Sequence, residues 1–77
     1  MKPSTIADIQ STIAHSIVKY PSTSLDDRRS GAVQEMGEAL QAIEKHRMDP
    51  TAKTRNHLRN ELFHAIGTAV RLLEEAL

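Results

Sequence analysis

The sequence predicts an all-α protein, a three-helix bundle built on a long antiparallel hairpin. Three observations carry this. Aromatic residues are nearly absent, with Tyr20 and Phe63 alone. Glycine and proline are scarce, three of each. The three prolines, Pro3, Pro21 and Pro50, divide the chain into segments whose apolar residues recur at three- and four-residue steps, the spacing of one helix face. Proline is tolerated in the first turn of a helix and disrupts its interior, so it punctuates rather than populates helices. With 77 residues the chain forms a single domain spanning 1–77.

The first helix is expected from about 4 to 20. Ile6, Ile9, Ile13, Ile17 and Tyr20 make its stripe. Its isoleucines, serines and threonines are mediocre helix formers, so packing must hold it. A second stripe of small residues, Ala7, Ser11, Ala14 and Val18, lies beside the first. Together the two stripes exceed what one neighbour would bury, and the small stripe is the candidate self-association face.

The second helix is expected from about 25 to 47. Ser24, with Asp27 three residues on, resembles a capping box. Val33, Met36, Leu40 and Ile43 form its stripe, with Ala32, Ala39 and Ala42 alongside. The third helix is expected from about 50 to 77, with Asp49 as N-cap and Pro50 in the first position. Leu58, Leu62, Ala65, Ile66, Ala69, Leu72, Leu73, Ala76 and Leu77 share a broad face, which places this helix at the centre of the core. A connection of about two residues makes helices two and three antiparallel neighbours. The first helix is then expected in the groove of that hairpin, or on a second copy.

Charge is balanced, ten basic against ten acidic residues, whereas a nucleic-acid-binding domain usually shows a basic excess. The cations are nonetheless uneven. Lys45, Arg47, Lys53, Arg55 and Arg59 crowd the connection between helices two and three against one acid, Asp49. Lys45, His46 and Arg47 suit a helix C-terminus, where the dipole favours cations. Lys53, Arg55 and Arg59 oppose the dipole of the helix that carries them. The partner-binding candidates are therefore Lys53, Arg55 and Arg59, then Arg47, facing an acidic protein surface. Arg29, Arg47 and Arg55 continue the apolar stripes beyond their ends, where arginine either covers the core with its methylenes or marks an interface.

No catalytic motif is present. His15 with Ser11 and Asp8 lies on one helix face with no pocket or oxyanion donor, which catalysis requires. His57, Glu61 and His64 share a sector of helix three, but Lys53 and Arg71 flank them and a further ligand is not visible. No metal and no cofactor is expected. There is no cysteine, which excludes disulfides and thiolate metal sites. No apolar run is long enough to span a membrane, and the N-terminus lacks a signal peptide's apolar centre; a cytoplasmic location is the default. Below roughly 70–80 residues a core supplies only about 3–5 kcal/mol of net stability, so either idealised helix packing or a homodimer is expected, the homodimer being the favoured reading. The sequence reads best as a small non-enzymatic interaction module, an inhibitor, adaptor or regulator that masks a partner surface, of a size common among phage and mobile-element products. The alternatives are a dimeric nucleic-acid-associated regulator using the basic hairpin tip, or a helical assembly subunit.

Overall fold

A computed structural model describes all residues, Met1–Leu77. It is a three-helix bundle with no strand: α1 spans Pro3–Lys19, α2 Leu25–Met48 and α3 Ala52–Arg71, and a π-helical turn over Leu72–Ala76 closes the chain. Pro3 opens α1 in its first turn. The Tyr20 N–H donates to the Ser16 carbonyl at the other end, and Pro21 ends the run.

Ser24 caps α2, its hydroxyl accepting from the Asp27 N–H at 3.2 Å. The reciprocal half of the expected box runs through Ser22. The Ser22 hydroxyl donates to the Asp27 carboxylate at 2.6 Å and accepts from the Ser24 N–H at 3.3 Å.

The start of α3 differs from the sequence expectation. Asp49 terminates α2, and Thr51 is the N-cap of α3. The Thr51 hydroxyl accepts from the Thr54 N–H, and the Thr54 hydroxyl accepts from the Thr51 N–H, both at 3.1 Å. The Thr54 hydroxyl also reaches the Asp49 carbonyl at 2.7 Å and His46 Nδ1 at 2.9 Å. A two-threonine box satisfies two orphan donors at once, which an Asp49 cap followed by proline could not do. Pro50 consequently lies in the connection.

α2 and α3 pack antiparallel, as the sequence requires. α1 packs on α3 alone; no Cα atom of α1 comes within 8 Å of α2, so it does not fill the groove of the hairpin. Asp8 pairs with Arg59, Thr12 faces Gly67 and Ser16 bonds Arg71, which makes α1 parallel to α3. The molecule is flattened, 37 × 27 × 20 Å, with α3 in the middle.

The core also differs from expectation. Its buried residues are Ala39, Ala42, Ala65, Gly67, Thr68, Arg28 and Arg71. Of the large members of the predicted stripes, Val33, Met36, Leu40, Ile43, Leu62, Ile66 and Leu73 are exposed, while Ile9, Ile13, Leu58 and Leu72 are half-buried. The cause is the alanine seam. Small side chains at Ala39, Ala42 and Ala65 let the α2 and α3 backbones approach, and Gly67 does the same for α1. Once the seams close on small residues, the larger stripes rotate away from them.

Candidate functional site

At 100° per residue, each helix has a contact direction, and its apolar stripe lies roughly a quarter-turn from it. In α2 the line Arg28, Glu35, Ala39, Ala42 and His46 meets α3, while Val33, Met36, Leu40 and Ile43 point to one side. In α3, Leu62, Ile66 and Ala69 fall between the direction of α2 and that of α1, and Leu73 follows them in the π-helical turn. In α1, Ile6 and Ile17 lie on the flank of the α3 contact. With α1 parallel and α2 antiparallel to α3, all three rotations carry the apolar side chains to the same side of the layer. The protein thus has one apolar face, and Arg29, Arg47 and Arg55 sit at its ends.

The accessible surface confirms the openness of this arrangement. A compact monomer of this mass exposes about 4,700 Å², and this chain exposes 5645 Å². The excess, about 950 Å², is close to the ~800 Å² that each partner contributes to a standard protein interface.

The opposite side is polar. α1 and α2 flank α3 there with no Cα pair within 8 Å, leaving a cleft of about 950 Å³ lined by Ser11, His15, Ser16, Lys19, Arg28 and Thr68 among others. Two arginines are buried here, Arg28 in the wall of the cleft and Arg71 outside its lining. Arg71 Nε donates to both Glu75 oxygens at 2.8 Å, and its Nη1 donates to the Ser16 carbonyl at 3.1 Å and hydroxyl at 3.0 Å. The Arg71 guanidinium holds the Glu75 carboxyl below its ordinary range.

Further along the seam, Glu35 of α2 meets Glu61 and His64 of α3. His64 Nδ1 lies 3.8 Å from Glu35 and 4.0 Å from Glu61, and one ligand atom from each falls within 4.8 Å of the others. These three are the residues that could hold a divalent cation, although ligand atoms around a tetrahedral zinc lie about 3.4 Å apart, so the side chains would have to draw in. Burial, then the neighbouring Glu38 carboxyl, pushes the Glu35 carboxyl up. Glu38 is held down as the acceptor of that contact and of a Gln34 hydrogen bond. Sequence reasoning grouped Glu61 with His57 and His64 along one helix and missed Glu35. The available signal was a Glu-x-x-Glu in α2 opposite a Glu-x-x-His in an antiparallel neighbour.

The cationic tip is assembled only in part. Lys53, Arg55, Arg59 and Arg47 are all exposed. Arg47 pairs with Glu44 of its own helix at 3.0 Å. Arg59 pairs with Asp8 of α1 at 3.0 Å, and its guanidinium stacks 5.1 Å from the Phe63 ring centre. Lys53 and Arg55 make no ion pair. Ala7, Ser11, Ala14 and Val18 are exposed on the side of α1 away from α3, so they are separate from the apolar face. Ser11 lines the polar cleft.

No helix is long and apolar enough to cross a membrane. No protein-family model matches the chain, and no curated protein or solved structure matches it significantly.

Proposed function

We propose that the protein is a small, non-enzymatic cytoplasmic interaction module that pairs through its apolar face and presents its cationic tip to an acidic protein. The observation that carries this reading is the placement of seven large apolar side chains of α2, α3 and the C-terminal π-helical turn on one face, each at least 40% exposed. Contiguous apolar patches of that kind mark interaction sites on soluble proteins. A core of three alanines is too small to stabilise a chain of this length alone, so the face is covered in the folded state. A second copy is the occupant always present at synthesis, and it makes the dimer obligate. Covering the face by two-fold symmetry leaves the clefts and tips outward. Lys53 and Arg55, free of internal partners, are then the available cations, with Arg59 and Arg47 beside them. Two free cations per tip suit an acidic protein better than a run of phosphates, which takes several contacts.

The test is molar mass by light scattering across a concentration series. A dimer is expected for the wild type. Leu40→Glu with Ile66→Glu on the apolar face should yield monomer or unfolded chain. Val18→Glu, on the small-residue side of α1, should leave the dimer intact. A wild-type monomer at high concentration would overturn the reading. Loss of the dimer in the Val18 variant alone would transfer the interface to Ala7, Ser11, Ala14 and Val18. A mass beyond the dimer would favour an assembly subunit.

A further inference from the structure

We infer that the Arg28 end of the polar cleft is a binding site for the oxyanion of a small, polar ligand, with Arg28 as its principal anchor. Arg28 is 6% exposed. Its guanidinium makes no hydrogen bond and no ion pair, and its Nε is sealed without a partner. Arginine does not deprotonate in proteins, so this is a largely buried charge with no hydrogen-bonded counter-ion, offset only by the more distant carboxylates of Glu75 and Asp27. Such groups are retained only where a partner offsets the desolvation cost.

The neighbouring groups do not supply that partner. Glu75 is taken by both of its oxygens on Arg71 Nε, and it feels the charge of Arg28 only at longer range. Asp27 is exposed at the rim, where Ser22 and then Ser24 hold its carboxylate and lower its pKa, with Arg28 contributing only through its more distant charge. Glu35 also lines the cleft but lies two turns along α2, engaged with Glu38, Glu61 and His64. Two buried guanidiniums therefore share one carboxylate. Arg71 Nη2 is also buried without an acceptor, but Arg71 does not line the cleft.

The surroundings suit an oxyanion. Ser16 and Thr68 bring hydroxyls to the cleft, and Lys19 and His15 stand on its α1 wall. Gly31 keeps α2 close to Thr68: a Cβ there would lie 3.3 Å from the Thr68 hydroxyl. The volume, about 950 Å³, is at the upper end of small-molecule sites. Most lining residues carry polar or charged side chains, which favours a polar ligand over a lipid chain. The acidic Glu35–Glu61 cluster confines negative charge to the Arg28 end. A bound oxyanion would join α2, through Arg28, to α1, through Ser16 or Lys19, two helices that otherwise meet only by way of α3.

Phosphate and carboxylate share this chemistry, and the test separates them. Full-length protein is titrated calorimetrically, and followed by thermal unfolding, with inorganic phosphate, glucose 6-phosphate and citrate. Sodium chloride at matched ionic strength is the control. At least one of the three anions should bind saturably and raise Tm. Response to the first two alone assigns a phosphate, and response to citrate alone assigns a carboxylate. Arg28→Met should abolish saturable binding and raise the ligand-free Tm, because an apolar side chain of similar length replaces an unpaired charge. Arg28→Lys, which keeps the charge and loses the fork, should bind at least tenfold more weakly. The site is refuted if none of the three anions binds saturably. It is equally refuted if either variant binds as the wild type does, or if Arg28→Met lowers the ligand-free Tm.

Discussion

Arg59 donates to Asp8 at 3.0 Å across 51 residues of sequence, and this pair ties the first half of α1 to α3. The arginine that the sequence offers as a partner-binding cation is thus part of the intramolecular contact. Both side chains are about half exposed, so the pair should contribute about 0.2–1 kcal/mol. A double-mutant cycle of Asp8→Asn and Arg59→Gln, followed by urea denaturation, is expected to give a coupling energy in that range that shrinks with added salt. A coupling of zero at low salt would remove this pair from the docking of α1.

The three glycines are not equivalent, and two of them test the seams. A Cβ on Gly37 meets nothing within 4 Å, whereas one on Gly67 would lie 3.3 Å from Thr12 Cγ2 and 3.6 Å from Ile13 Cγ1. Thr12 cannot turn aside freely, because its hydroxyl donates to the Asp8 carbonyl at 2.8 Å. Gly37→Ala should therefore stabilise the fold by about 0.5–1 kcal/mol through helix propensity. Gly67→Val should destabilise it by about 1–3 kcal/mol through overpacking, with α1 released first. Amide exchange that accelerates in α1 before α2 would identify that release; uniform acceleration would contradict it.

Arg71 holds the other end of α1, and it is the largest fully buried side chain. Its two bonds to Ser16 are charge-assisted and shielded from water, unlike the Arg59 pair. Arg71→Met should cost about 3 kcal/mol, while Ser16→Ala, which keeps the carbonyl bond, should cost about 1 kcal/mol. Equilibrium unfolding of the two variants checks the ratio. Near-equal losses would show that the hydroxyl, not the carbonyl, is the main acceptor.

The helices themselves were legible because proline punctuation and 3.6-residue periodicity act locally. The faces they use were not. Weighing apolar residues by size places Leu40, Ile43, Leu62 and Ile66 in the core, yet close approach is decided by Ala39, Ala42, Ala65 and Gly67. Arg28 illustrates the same point for the site. As one cation in "DDRR" it reads as solvent-exposed charge. Only its place on the line through Glu35, Ala39, Ala42 and His46 puts it in the seam, and that line becomes visible once the seam is known to run along alanines. The cationic tip was legible as composition, but its pairing was not, since Asp8 lies 51 residues from Arg59.

The raised pKa of Glu35 carries a stability consequence of definite sign. Burial, then its contact with Glu38, favours the protonated carboxyl in the folded state relative to the ordinary value of 4.5. Below that value the group is protonated in both states. As pH rises through the higher folded pKa, the folded protein gives up a proton it holds more tightly than the unfolded chain does, and stability falls. Glu75 acts in the opposite sense. Its pKa is lowered by Arg71, so its contribution is present above 4.5 and lost as the pH falls through the lowered folded value. Stability should therefore peak in mildly acid solution. Glu35→Gln, permanently neutral, should raise Tm at neutral pH and have little effect near pH 4. Thermal unfolding of both proteins across that interval provides the measurement. A loss of Tm at neutral pH with little change near pH 4 would reverse the assignment of the proton to Glu35 and place it on Glu38.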